Sequence, residues 1–327
     1  MSELRWNPLL RTYTMVASNR QARPQMPKDW CPFCPGSGKV PEHYDVYPYP
    51  NDFPALSVHP PQPGLESAAM YEVEASYGAC EVILFSPDHH ATLYQLSIDH
   101  LVKLINLWAE RFAVYAADPK IKYIFEFENR GPEVGVTMPH PHGQLYAYPF
   151  VPQKLRVELD SCRAYYQQHG RDLLGDMNGQ ELAFGQRMLM ENEGFLCYLP
   201  FFTDYPYGAF IVSRKMTGNF TDFDESQKRD LAAMLRDLTG AFDALFDRPF
   251  PYMMCLHQTP VNTEEYHDCT QYFRFHIEFY PPLRDANRIK YYAGSEMGAW
   301  AAANTRAVEE TAEELRQALG KFRSLGV

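Results

Sequence analysis

The chain has 327 residues, 46% hydrophobic and 14% aromatic, enough for two domains or one large one around a sizeable core. No apolar run reaches transmembrane length and no charged-then-apolar segment opens the chain, so neither a membrane span nor a secretory signal is expected. A formal net charge of −11 argues against nucleic-acid binding through a basic surface, though local arginines can still hold anionic ligands such as nucleotides; seven scattered cysteines make no disulfide framework and fit a reducing cytoplasm.

In chain order, Cys31-Pro32-Phe33-Cys34 comes first, with the knuckle spacing that lets two thiolates share one ion. A strand is predicted over Cys80 to Phe85, followed by Ser86-Pro87-Asp88-His89-His90. After Ser97, a plausible N-cap, Leu101, Leu104, Ile105, Trp108, Phe112 and Tyr115 recur at amphipathic helix spacing. A strand over Tyr123 to Phe127 and a histidine-bearing strand His142-Gly143-Gln144-Leu145-Tyr146 complete the first half. A boundary is expected near Phe150 to Pro152, giving an N-terminal domain 1–152 and a C-terminal domain 153–327. The polar stretch Lys154 to Met190 reads as helical, interrupted by a turn at Gly175-Asp176-Met177-Asn178-Gly179. A strand over Ala209 to Val212 follows. A helix after Asp224 then carries Leu231, Met234, Leu235, Leu238, Phe242 and Leu245, each 130 residues after its counterpart in the first helix. Strands over Tyr252 to Leu256 and His276-Ile277-Glu278-Phe279-Tyr280 come next, and a helix over Thr305 to Leu319 closes the chain. The repeated order of strand, helix, strand and histidine strand reads as an internal duplication, and the fold as α+β, mainly antiparallel with helices packed against the sheet.

The most informative stretch is Pro139-His140-Pro141-His142-Gly143-Gln144. In an extended segment residues i and i+2 point the same way, so His140, His142 and Gln144 line one face, with Gly143 letting a ligand approach the backbone. A neutral imidazole beside an amide donor suits nucleophilic attack on phosphorus; the bland alternative is a turn that happens to hold two histidines. For the Cys31 and Cys34 pair the remaining ligands must be histidines, with His89 or His90 together with His140 as candidates; two sulfurs and two nitrogens suit zinc, and the alternative is a buried cysteine pair without metal. Glu158, His257, His276 and Glu278 offer a second set suited to iron or zinc, unless His276 is simply a hydrogen-bonded core residue.

Taken together these residues resemble the galactose-1-phosphate uridylyltransferase family of the histidine-triad superfamily. The resemblance spans nearly the whole chain. It runs through Arg20-Gln21-Ala22-Arg23-Pro24, the Cys31 to Cys34 knuckle, Asn51-Asp52-Phe53-Pro54-Ala55-Leu56, Phe85 to His89, Glu128-Asn129-Arg130-Gly131, His140 to Gln144, Phe279 to Leu283 and Gly294-Ser295-Glu296-Met297. It implies that His142 attacks the α-phosphorus of UDP-glucose, and that the uridylyl-histidine formed is then taken by galactose-1-phosphate in ping-pong fashion. Gln144 would donate to a phosphoryl oxygen, where hydrolytic relatives carry a third histidine, so the amide favours transfer. Asn129 and Thr137 would hold phosphates. Asn51, Asp52 and Phe53 would hold the uridine and ribose; Arg20, Arg23, Lys290 and Glu296 lie near the sugar phosphate, some of them across a homodimer interface. The resemblance puts zinc on Cys31, Cys34, His89 and His140, and a second, structural metal (iron or a further zinc) on residues matching Glu158, His257 and His276.

Three positions depart from the family pattern. Glu278 stands where histidine is common, Ser295 where tyrosine is common, and Thr137-Met138 where Ser-Asn is common. Two alternative functions use the same residues. One is a nucleoside-diphosphate-sugar phosphorylase or adenylyltransferase acting through His142; the other is a non-catalytic, metal-stabilised nucleotide-binding protein.

Overall fold

The computed structural model describes residues 2–18, 21 and 30–326. In chain order its elements are β1 Ser2–Asn7, β2 Thr12–Ala17, β3 Tyr47–Pro50, β4 Val73–Ala75, β5 Ala79–Leu84, α1 Ile98–Ala116, β6 Tyr123–Arg130, β7 His142–Tyr148, α2 Gln153–His169, α3 Leu173–Phe184, β8 Met188–Glu191, β9 Phe195–Tyr198, β10 Ala209–Ser213, α4 Glu225–Phe246, β11 Tyr252–His257, β12 His276–Tyr280, α5 Gly294–Ala299 and α6 Val308–Ser324. Among the described residues they form a nine-stranded sheet, β3-β5-β7-β6-β11-β12-β10-β9-β8, and a separate three-stranded sheet, β2-β1-β4. The pairings within both are antiparallel.

The nine-stranded sheet carries the duplication. On either side of the β6–β11 junction the order mirrors itself: β6, β7, β5, β3 in one direction and β11, β12, β10, β9 in the other. At the junction Tyr252 pairs with Arg130 and Cys255 with Phe127. Strand side chains alternate, so each strand gives one face to the helices. Ile83, Ile124, Leu145, Ala147, Ile211, Met254, Leu256, Ile277 and Phe279 join one core with Leu101, Leu104, Ile105 and Trp108 of α1, Leu231, Met234, Leu235 and Leu238 of α4, and Leu315 and Leu319 of α6. The helix starts are set locally. The Ser97 hydroxyl accepts from His100 N, and Asp224 forms a capping box with Gln227.

Three sequence expectations are corrected. The helical break falls at Gly170 to Asp172 and not at 175–179: Gly170 adopts a left-handed conformation that ends α2, and Asp172 accepts from Gly175 N to start α3. Asn178, read as a turn residue, is buried inside α3, donating to Ser213 O and accepting from the Tyr198 hydroxyl. The helical reading also overran, because Met188 to Glu191 pair with β9 as an edge strand. The last helix begins and ends later than expected, and its apolar stripe continues to Phe322, which packs over Gly240 of α4.

Two carboxyls of β6, Glu126 and Glu128, sit on the helix side of the pleat. Glu126 of β6 faces the helices at 1% exposure, where Gln258 Nε2 donates to Oε2 at 2.6 Å and, among the described residues, Oε1 has no partner. Burial pushes its pKa up from 4.5 to about 8. The folded chain therefore holds a proton that the unfolded chain releases above pH 4.5, so this contribution is full at low pH and is lost as pH rises towards 8. Glu126→Gln should flatten that fall by up to about 1.4 kcal/mol per pH unit. Urea midpoints at successive pH values from 5 to 8 check this; parallel curves for variant and parent would show that Glu126 is ionised in the fold.

A candidate active site and two donor clusters on one sheet face

The knuckle loop, His89 and His140 meet at the β5–β7 side of the sheet. Cys34 N donates to Cys31 O and Ser37 N to Cys34 O, which turns both thiols inward. Cys34 Sγ lies 3.5 Å from His89 Nδ1 and 3.7 Å from His140 Nδ1; Cys31 Sγ lies 3.7 Å from the same His140 atom. Bonds of 2.0–2.3 Å to one tetrahedral ion put ligand atoms about 3.3–3.8 Å apart, so these separations fit a shared ion without rearrangement. His140 Nε2 donates to Ser86 O at 2.8 Å, which fixes the tautomer and leaves Nδ1 as the ligating nitrogen. Burial pushes the His140 pKa down to about 4, so the ring is neutral at pH 7. Burial also raises the Cys34 thiol to about 11; an ion binding there displaces its proton. Of the two adjacent histidines, His89 is the one that belongs to the four-residue group with Cys31, Cys34 and His140.

Strand β7 begins at His142. Its Nδ1–H donates to His140 O at 2.7 Å, the tautomer that carries the lone pair on Nε2. Gln144 follows on the same face, and Phe127 and Asn129 of neighbouring β6 share it, with Gln144 paired to Phe127. Phe33, between the two knuckle thiols, packs its ring against His140, His142 and Tyr49. Gly143 has a different role from the one expected. A Cβ there would lie 2.9 Å from the Phe85 ring and 3.0 Å from Phe127 O, so glycine is required by packing on the helix side, not by ligand approach.

The remaining sequence candidates lie apart from one another. Asn51, Asp52 and Phe53 follow β3; Asn51 Oδ1 accepts from Phe53 N, and the buried Tyr49 hydroxyl donates to Asp52. Thr137 is exposed on the loop leading to His140. Arg20 and Arg23 lie outside the described residues. Lys290 is buried with its ammonium over the rings of Tyr205 and Tyr292. Glu296 lines a cavity of about 740 Å³ together with Phe125, Tyr148, Lys154, Cys255 and Tyr280, and neither His142 nor Gln144 is among its lining residues.

The second cluster joins α2, β11 and β12. His257 Nδ1 donates to Glu158 Oε2 at 2.7 Å, and His276 Nδ1 to Arg274 O at 3.0 Å. The Nε2 atoms of both rings stand 3.6 Å from Glu278 carboxylate oxygens. Sequence reasoning missed Lys154, whose ammonium pairs with Glu278 and lies 3.4 Å from Glu158; the signal was its place four residues before Glu158 on one helix.

A family model described as galactose-1-phosphate uridyl transferase, N-terminal domain, matches residues 2–152, and its C-terminal counterpart matches residues 158–324. Galactose-1-phosphate uridylyltransferase of Thermotoga maritima is 36% identical over 318 residues, covering 97% of this chain and 98% of the relative. A solved uridylyltransferase superposes with a TM-score of 0.89 at 30% identity, covering 98% of this chain and 99% of that one. An ADP-glucose phosphorylase from Arabidopsis thaliana, solved with bound ADP-glucose, shares the fold with a TM-score of 0.74 at 23% identity over 97% and 99% of the two chains.

The first cluster makes a prediction that separates adjacent histidines. His89→Ala should lose bound zinc to a competing chelator at least tenfold faster and lower the melting temperature, while His90→Ala should do neither. Equal losses in both variants would mean that the ligand set is wrong.

Proposed function

The chain belongs to the galactose-1-phosphate uridyl transferase family, and from that premise we propose that it moves a uridylyl group between UDP-glucose and a hexose 1-phosphate through a covalent intermediate on His142. The observation that carries the reading is the tautomer of His142: with Nδ1–H held by His140 O, the lone pair sits on Nε2, on the sheet face shared with Gln144. In the first step Nε2 attacks the α-phosphorus, a P–N bond forms, and the P–O bond to the leaving glucose 1-phosphate breaks. In the second step a phosphate oxygen of galactose 1-phosphate attacks the same phosphorus, the P–N bond breaks, and His142 is regenerated. The Gln144 amide donates to a phosphoryl oxygen as charge develops, a contribution of about 3–4 kcal/mol for such donors. Asn129 and Thr137 assist on the phosphates. Phe53 stacks on uracil, Asn51 holds the uridine, and Asp52, oriented by Tyr49, accepts from ribose hydroxyls.

In this reading residues 1–152 carry the nucleophile and a zinc ion on Cys31, Cys34, His89 and His140. Four protein ligands close that site, so zinc there contributes folding free energy and takes no part in the reaction. Residues 153–327 supply Lys290 and Glu296. Glu296 lines a cavity that lacks His142, and Lys290 packs its ammonium over Tyr205 and Tyr292 of that same lining, so we assign both to the sugar-phosphate site of a second copy in a homodimer, with Arg20 and Arg23 as further phosphate contacts. All seven cysteines are free thiols and no helix among the described residues is long and apolar enough to cross a membrane, which supports a cytoplasmic enzyme.

A second reading has a specific observation behind it, because the fold is shared with a phosphorylase that binds ADP-glucose. One experiment separates the two. The protein is incubated with UDP-glucose or ADP-glucose without acceptor, and its intact mass is measured. A uridylyl adduct that disappears on adding galactose 1-phosphate, and is absent in His142→Ala, is expected. An adenylyl adduct alone would keep His142 as nucleophile and move the function to the phosphorylase class.

A further inference from the structure

The second cluster looks like a metal site by composition and spacing, and a cation of the chain itself already pairs with it. We propose that the Lys154 ammonium closes this cluster in place of a metal ion. The inference does not depend on the transferase reading.

Three observations carry it. First, the cation is already there: Lys154 Nζ pairs with Glu278, lies 3.4 Å from Glu158, and donates to the Tyr280 hydroxyl. The Lys154 side chain is half-exposed, yet its ammonium reaches the buried Glu278 carboxylate, one of the four donors an ion would need. Second, the contact between His257 Nδ1 and Glu158 Oε2, at 2.7 Å, is a hydrogen bond. Glu158 Oε2 thus accepts from His257 Nδ1–H, and its Oε1 faces Lys154 Nζ at 3.4 Å, so both oxygens of this carboxylate already have partners. Third, the departure from the family pattern is matched in charge. The resemblance implies histidine where Glu278 stands, and the added carboxylate is paired by Lys154, which reaches it from α2. A divalent ion would have to expel a bound ammonium, or sit beside it on the same carboxylate.

The ion-pair network ties the same three elements that a metal would tie. Lys154 and Glu158 belong to α2, His257 to β11, and His276, Glu278 and Tyr280 to β12. The fold keeps the cross-link and loses the need for metal.

The test counts metal on the full chain. Protein is equilibrated with excess zinc or ferrous iron, desalted and analysed by mass spectrometry. We expect about one equivalent in the parent, lost in Cys31→Ser and kept in His276→Asn. Lys154→Met should gain about one further equivalent, and in the presence of chelator it should melt below the parent, because two carboxylates then face each other uncompensated. Two equivalents in the parent, one of them lost in His276→Asn and kept in Cys31→Ser, would overturn the proposal. So would a Lys154→Met protein that binds no further metal and melts like the parent. Failure of the first site shows separately, as a parent that binds nothing even after loading while Lys154→Met still gains an equivalent.

Discussion

The alternation of side chains along the nine-stranded sheet governs the rest of the molecule. A one-residue slip in β7 would bury His142 and Gln144 among the helices and turn Leu145 and Ala147 outward. The helix-side core forbids that slip. Leu145, Ala147, Ile277 and Phe279 are essentially inaccessible to solvent, and fully burying such side chains is worth about 1.5–3 kcal/mol each. The register is therefore set by residues with no chemistry of their own, and the reactive groups follow. Gly143 belongs to this constraint. A Cβ there would collide with the Phe85 ring and Phe127 O, next to the residue that must face the other way.

Duplication puts two histidines in the same local frame, and divergence gives them different work. His142 and His276 each open a strand, and each donates Nδ1–H to the carbonyl two residues earlier. Two residues on, the first strand has Gln144 and the second Glu278. An amide can donate to a phosphoryl oxygen; an ionised carboxylate can only accept, and it repels phosphate. Glu278 also occupies the space facing His276 Nε2, which Gln144 does not do as a charge at His142. The second half thereby holds α2, β11 and β12 together, and in the proposed function phosphorus chemistry falls to the first.

The sequence made the central scaffold legible because its signals are periodic. The helical stripes 130 residues apart mark α1 and α4; all their predicted residues are buried except Tyr115 and Leu245, which pack partly buried against the same core. The His140 to Gln144 alternation gives the reactive face without any knowledge of neighbouring strands. What failed was set by tertiary context. Gly175 to Gly179 has turn composition, yet Asn178 is satisfied by Ser213 and Tyr198, residues no local rule could supply. Short edge strands such as β8 have too few residues for a period to appear. Glu126 looks like a surface carboxylate in a Phe-Glu-Phe-Glu run, and only the sheet's two-sided packing reveals which face is inside. Arg20 and Arg23 rest on resemblance throughout.

The knuckle and the nucleophile are coupled by a single ring. Phe33 is flanked in sequence by the two thiol donors and touches the rings of His140, His142 and Tyr49, at centroid distances of 5.9, 5.9 and 5.3 Å. Tyr49 in turn holds Asp52 through its hydroxyl, and the Tyr44 hydroxyl donates to Phe33 O and lies near Ser86 O, the acceptor of His140 Nε2–H. In the proposed function an ion on Cys31 and Cys34 would fix the loop that carries Phe33, whose ring packs on the His142 imidazole and on Tyr49, the residue that holds Asp52. Without the ion the loop keeps mainly the hydrogen bonds of a short turn and the burial of one aromatic ring. A metal that touches no reacting atom can therefore set how well His142 is aimed, through packing alone.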